Sequence, residues 1–408
     1  MTKKRTENWL AVIAVAVGLP VAAIVGFMAY LAAIKAPPLH PNPNDIPAVT
    51  LSVPSPGWAP AADRGRQAVR ALMTAQNLPG VSVAVGMGGE IVWAEGFGWA
   101  NIESQVPVAP GMRFRIGHVS KALTSAAVGL LLDRGRLHLG DEIQRYVPTF
   151  PRKQWPVTLR QLMAHTAGFK HYTGEYADVP SGHCDRASEG LESFADGPLL
   201  FEPDTKSRYS TYGWVLVSAA VEAAAGEPFF TFMRTQIFTP LGMTATGPES
   251  AAEPMADQAT FYFSKFTGDN KFGHNVAQPV DYSCFAGAGA FLSTPSDLVR
   301  FGMAITAGKL VQTSTIRTLQ SPQELPSGKE TGFGLGWTVE TTSLAGEATR
   351  LVGDASKSLI GGSTSFLVFP DRGIVVAVMT NTSYADPRSM ALSIAQAFAE
   401  QKKSPAAK

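Results

Sequence analysis

Apolar and polar positions change period several times along the 408 residues, and each change marks an element. From Trp9 to Ile34 no charged residue occurs, a run long enough at about 1.5 Å per residue to cross a hydrocarbon core of roughly 30 Å. Lys35 to Pro60 is Pro-rich and reads as an extended spacer. Ala61 to Gln76 places Val69, Leu72 and Met73 on one helical face, and Asn77-Leu-Pro-Gly ends it. Alternation takes over in VSVAVGMGGEIVWAEGFGWAN, where Gly88-Gly89 predicts the turn of a hairpin. SKALTSAAVGLLLDRG is a long apolar helix stopped by Gly135. Residues from about 137 to 290 read as loops and helices, TYGWVLVSAAVEAAAG and DLVRFGMAITAG being the clearest helical patterns of the region and its downstream edge. Strand patterns return in GFGLGWTVE, STSFLVFP and IVVAVMTN, with Asp371-Arg-Gly as a turn, and a helix from about Pro387 to Gln401 closes the pattern. This order predicts an α/β (α+β) domain: an antiparallel sheet flanked by helices and interrupted by a helical insertion, with any active site at the seam.

The expected organisation is a cytoplasmic tail at 1–8, a transmembrane signal-anchor at 9–34, a linker at 35–60, one domain at 61–402 with its insertion at about 137–290, and a tail at 403–408. Lys3, Lys4 and Arg5 precede the apolar run, which orients the N-terminus inward and the domain outward, periplasmic or otherwise extracytoplasmic. A cleavable signal peptide would carry a shorter apolar stretch, about 7–15 residues. The formal net charge of +1 gives no reason to expect a nucleic-acid partner. Two cysteines, Cys184 and Cys284, either pair in an oxidising compartment or stay as separate buried thiols. The seven His show no HxH or HxxxH spacing, so neither a metal nor another cofactor is expected.

The chemistry lies in a set of ordered blocks. FRIGHVSKALTSAAVGLLLDRGRLHLGDEIQRYVP, LRQLMAHTAGFKHY, YSTYGWVLVSAAVEAAAG, PLGMTATG, GAGAFLSTPSDLVRFG and IGGSTSFLVFPDRGIVVAVMTN resemble the serine β-lactamase and penicillin-binding-protein superfamily, in its class C, esterase-like branch. The likeness runs from about residue 62 to 400. It implies a β-lactamase/transpeptidase-like fold and acyl transfer, in which a Ser at a helix start attacks a carbonyl, a Lys one turn later tunes it and a Tyr moves its proton.

Carried onto this chain, the nucleophile window is His118-Val119-Ser120-Lys121, with His118 where the family has Ser and Lys121 in place. Tyr209-Ser210-Thr211 keeps the Tyr, and Thr211 replaces an Asn. The third motif falls on Ala355-Ser356-Lys357, where Ser356 survives and Lys357 replaces a Gly. The expected catalytic residues are therefore His118, Lys121 and Tyr209, and the substrate-binding ones Thr211, Ser356 and Lys357. Ser120 sits about 200° around the helix from position 118 and points away. His165 and Thr166 read as loop scaffold. Asp354 could pair with Lys357 or Lys121. Trp58, Trp93, Trp99, Trp155 and Trp337 read as core. The partners implied are a small-molecule or peptide acyl substrate and, through the N-terminal helix, a membrane. The sequence leaves two functions open: hydrolysis of esters, amides or β-lactams with impaired or altered catalysis, or a non-catalytic cleft that binds peptidoglycan-like peptides or serves as a membrane scaffold.

Overall fold

The computed structural model describes residues 20–21, 23–28, 30–31, 33–172, 182–250, 257–266, 268–359 and 361–403. Of these, seven strands build the main sheet: β1 (Ala48–Ser52), β2 (Gly80–Met87), β3 (Glu90–Asn101), β4 (Thr338–Leu344), β5 (Glu347–Leu359), β6 (Gly362–Phe369) and β7 (Ile374–Thr380), in the order β1-β3-β2-β7-β6-β5-β4. Every neighbouring pair is antiparallel, and a two-residue strand, Val106–Pro107, extends β3 at the side. The expected union of early and late strands is made by β2 and β7, with Ala84 opposite Ala377. Gly88 and Gly89 take φ of +62° and +94°, the left-handed pair that a two-residue hairpin turn requires.

The apolar run of β7 is continuous because both of its faces are covered. Ile374, Val376 and Val378 meet the helices α1 (Ala59–Gln76) and α5 (Pro387–Lys403), together with Trp93, Phe97 and Phe398. Val375, Ala377 and Met379 face the opposite core, which includes α2 (Ser120–Asp133), α3 (Thr211–Ala225) and α4 (Pro295–Thr306). Both α2 and α3 are buried on nearly all sides, so their sequences lack a polar face. Residues 137–290 are less helical than expected. Around α3 the described chain there consists of short helices, loops, the two-stranded sheet of Tyr262–Ser264 with His274–Val276, and the two-residue strand Gly247–Pro248, which pairs with Phe291–Ser293. Apolar side chains of this region, Phe150, Phe169, Phe194 and Phe229 among them, join the main core, and Glu249 is paired with the buried Arg115 at 2.7 Å.

The Pro-rich stretch, read as an extended spacer, lies against the domain over part of its length. β1 lies along β3, the Leu39 amide donates to Asn77 Oδ1 at 2.8 Å, and Arg70 donates to the carbonyls of Pro43 and Asn44. The outer edge of β3, which takes up β1, and the left-handed C-cap Asn77 supply hydrogen-bonding groups that a composition-based reading overlooks. Most of the expected span at 9–34 lies outside the described residues. Its described part, within 20–33, is helical, and Ile24, Val25 and Met28 are exposed. Among the described residues no single helix is long and apolar enough to cross a membrane. The bent pair Thr211–Ala225 and Phe229–Leu241 passes a length and composition test, but its first helix is a core element.

Gly287 fixes the spacing between α2 and α3. Its carbonyl accepts from Thr124 Oγ1 and its N–H donates to Ser218 Oγ, both at 3.0 Å, and a Cβ there would stand 2.0 Å from Thr124 Oγ1. Gly287→Ala should therefore destabilise the protein by about 1–3 kcal/mol through overpacking. Chemical unfolding measures it, and an unchanged midpoint would show that the two helices are not clamped here.

Candidate active site

Three segments converge where the sheet meets the helical side. His118 lies in the 3₁₀ turn Gly117–Val119 that leads into α2, and Lys121 is in the first turn of α2. Tyr209 precedes Ser210, which caps α3 by accepting from the Gly213 amide. Ser210 Oγ also donates to the Lys170 carbonyl at 2.7 Å, tying the Tyr209 segment to the loop carrying His171 and Tyr172. Asp204 strengthens this lacing by accepting from Thr166 Oγ1 and Gln161 Nε2, each at 2.7 Å. The third segment is β5, which brings Asp354 to the same place.

Lys121 is almost fully buried, with 2% of its side chain exposed, and its ammonium is held from two sides. It donates to the Tyr209 hydroxyl, and it stands 3.7 Å from Asp354 Oδ2. Burial lowers its pKa, the Asp354 carboxylate opposes that, and the outcome is about 8. Burial and the nearby Asp354 charge push the Tyr209 phenol well above its ordinary value, so it stays a proton donor. His118 is partly exposed, with its ring 5.1 Å from that of Tyr209 and 6.3 Å from that of His171. Its Nε2 is 3.5 Å from the Tyr172 hydroxyl. Burial, then the positive charge of Lys121, hold His118 well below the ordinary imidazole value, leaving it neutral at pH 7. His171 is lowered to about 4 for the same two leading reasons.

His118, Lys121 and Tyr209 are thus together. Thr211 is buried in the first turn of α3, and its amide donates to His171 Nδ1 at 3.4 Å, so its backbone has a positioning part. Ser356 pairs in register with Thr364 on β6, placing its backbone on the strand that carries Asp354. The Ser356 and Lys357 side chains lie outside the described set. His165 is scaffold: it is buried, its Nδ1 accepts the Ser210 amide at 3.2 Å, and its ring lies 4.6 Å from that of Tyr209. His183 is elsewhere, bonded to Asp281 at 2.9 Å. The two cysteines are joined in a disulfide.

Two contributors were not visible as site residues in the sequence. His171 had no nameable partner, and its only signal was adjacency to Tyr172 in the HTAGFKHY block. Asp354 had two conceivable partners; its carboxylate stands 3.7 Å from Lys121, and the Lys357 side chain lies outside the described set. Among the described residues no group of three or more His, Cys, Asp or Glu side chains is arranged to hold a metal ion. Chemically, the arrangement offers a neutral imidazole, a phenol and an ammonium around one point.

Because folding lowers the Lys121 pKa to about 8, the unfolded chain binds an extra proton between there and the ordinary value of 10.5. The Lys121 contribution to stability therefore rises with pH across that window. Urea unfolding at about pH 7.5 and 9.5 should show this rise in the parent and its loss in Lys121→Met. Equal slopes in both proteins would mean that the ammonium is not buried as described.

Comparison with known proteins fits this geometry. The family model described as Beta-lactamase matches residues 66–399. The chain is 27% identical to "Serine beta-lactamase-like protein LACTB, mitochondrial" of Mus musculus, over 84% of this chain and 81% of that protein. It is also 27% identical to the Homo sapiens protein of the same name, over 84% and 80%. Among solved structures, the octameric penicillin-binding protein homologue from Pyrococcus abyssi superposes with a TM-score of 0.71 at 23% identity, covering 84% of this chain and 78% of that one. A D-stereospecific amidohydrolase from Streptomyces gives 0.65 at 21%, covering 80% and 96%. These likenesses carry the fold, and the family match, spanning the α2 helix, the Tyr209 segment and β5 alike, shows that the chain belongs to the Beta-lactamase family.

Proposed function

We propose that this chain is a membrane-anchored, exported member of its family whose cleft takes acyl substrates without forming a durable acyl-enzyme. The observation that carries the reading is the imidazole of His118 at the nucleophile position, beside a Lys121–Tyr209 pair that is still intact. A neutral imidazole can attack an activated carbonyl, the leaving group departing with a proton and water then cleaving the acyl-imidazole. It can also take a proton from an attacking water. Neither route stores an oxygen ester. The Tyr209 phenol, kept protonated, is the available donor to a leaving group.

Lys121 favours the second reading, a cleft that binds peptidoglycan-like acyl peptides and turns them over little or not at all. Its partner Asp354 counteracts burial, so at neutral pH most of the amine carries its proton and is no base. Export is supported by the Cys184–Cys284 disulfide, which belongs in an oxidising compartment. The charge-free run from Trp9 to Ile34 behind a basic N-terminus supports the anchor. The mammalian relatives named above are mitochondrial by name, which makes membrane fractionation with N-terminal sequencing the deciding experiment for location. A mature chain beginning near residue 35 would replace the anchor by a cleaved leader.

Intact-mass analysis after incubation with a fluorescent penicillin and a fluorophosphonate tests the chemistry. No stable adduct is expected on the parent protein. His118→Ser should gain labelling and esterase turnover only in part, since Lys357 stands where the family's third motif has Gly, on the strand that by resemblance frames the oxyanion, and one lost donor there costs about 10²–10³ in rate. Rapid stoichiometric labelling of a serine in the parent would overturn the reading.

Any residual hydrolysis of p-nitrophenyl acetate by the parent should rise with pH through about 8, where Lys121 gives up its proton. Lys121→Met should abolish that rise. A rate that is flat across pH 7–9 after correction for the buffer reaction, at about the level of the variant, would assign Lys121 no part in proton transfer.

A further inference from the structure

We propose that the cleft holds its ligand by a flat, uncharged aromatic group seated among the rings of His118, His171, Tyr172 and Phe333. The inference rests on the acyl-ligand reading above and names the class of group that the ligand presents. Three separate chain segments deliver these rings, the turn before α2, the loop carrying His171 and Tyr172, and the loop before β4, and the Tyr209 segment supplies the wall beside them. The His118 and His171 rings meet nearly edge to face at 6.3 Å and 65°, and His171 lies 4.0 Å from Tyr172. Phe333 lies 6.3 Å from Tyr209 and 5.0 Å from His165.

Exposure separates the shelf from its support. His118, His171, Tyr172 and Phe333 are all partly exposed, whereas His165, behind Tyr209, is buried. The Tyr209 ring is flanked by His165 at 4.6 Å and His118 at 5.1 Å, with the edge of His171 at 5.3 Å, so it forms the wall of the site. A core cluster would bury such rings completely. Here each is partly exposed, and His118, His171 and Phe333 each neighbour the Tyr209 ring while Tyr172 neighbours His171.

Charge selects among ligands. A cation over an aromatic wall is a common use of such rings, but here Lys121 Nζ already lies 4.6 Å from the centre of the Tyr209 ring. Its charge also acts on His118, His165 and His171, and would repel a second cation. The Asp354 carboxylate is engaged with Lys121. An uncharged ring meets neither penalty and gains offset or edge-to-face contacts, which an aliphatic acyl group cannot make.

The test compares three probes that share one amide linkage: N-phenylacetylglycine, N-acetylglycine and N-(trimethylammonioacetyl)glycine. Binding to the full chain is measured by calorimetry, and the imidazole resonances of His118 and His171 are followed by NMR. The phenylacetyl probe should bind about 2–10-fold tighter than the acetyl probe and shift both imidazoles. Phe333→Leu and Tyr172→Leu should each reduce that preference, with Tyr172→Phe retaining it. The imidazole shifts in the parent need no variant and guard against misfolding. Equal affinity for phenylacetyl and acetyl probes would overturn the aromatic inference and leave the acyl-ligand reading standing. Tightest binding of the cationic probe would overturn it in favour of a cation site. No binding by any probe would overturn both.

Discussion

The constraint on which this site depends is the burial of one ammonium. Lys121 is nearly inaccessible, and an isolated charge there would be too costly to keep. Its two compensating partners come from different parts of the molecule, Tyr209 from the segment entering α3 and Asp354 from β5. The helical side and the sheet must therefore come together in one arrangement before the charge is tolerable. Breaking either contact leaves an ammonium in the core, whereas removing the amine altogether leaves only a partly exposed carboxylate. The same clamp fixes the turn at Gly117–Val119 and so aims His118.

That ammonium also sets the electrostatics around it. Its charge works with burial to keep His118, His165 and His171 neutral, so histidines that would titrate near pH 6.5 at the surface stay uncharged. Neutral imidazoles can stack, accept backbone N–H groups and pack against phenols without a counter-ion. Ser210 and Thr211 donate their amides to His165 and His171, and these bonds place the Nδ1 atoms as acceptors and the Nε2 atoms as proton carriers. Burial first, and that charge second, thus keep the imidazoles of the site uncharged.

Most of the sheet was legible because its strands carry their own signals. The Gly88-Gly89 turn and the continuous apolar run of β7 each follow from a local rule. The Lys121–Tyr209 contact was legible only through the order of family-like blocks, since the two residues are 88 positions apart. Asp354 and His171 were not legible as site residues: side-chain pairing across a cleft depends on strand register and loop lacing, which leave no period in the sequence. The Pro-rich stretch misled for a related reason. Composition predicts its stiffness, but whether it is free depends on the outer edge of β3 and on Asn77.

That attachment also ties the N-terminal stretch to the site. Asn77 accepts the Leu39 amide and donates to the Asn270 carbonyl at 3.0 Å. Asn270 in turn donates to the Ser383 carbonyl at 3.1 Å, and Ser383 Oγ accepts the Gly361 amide at 2.7 Å. Gly361 sits in the turn between β5 and β6, at the end of the strand that carries Asp354 and Ser356. A run of buried or partly buried hydrogen bonds therefore joins the N-terminal stretch to the hairpin beside the cleft. Each link is a backbone group satisfied by a side chain, and each would cost free energy if opened without water. The Pro-rich stretch and the strand lining the site are thus fastened to the same end of the sheet, so a shift of either strains the bonds that join them.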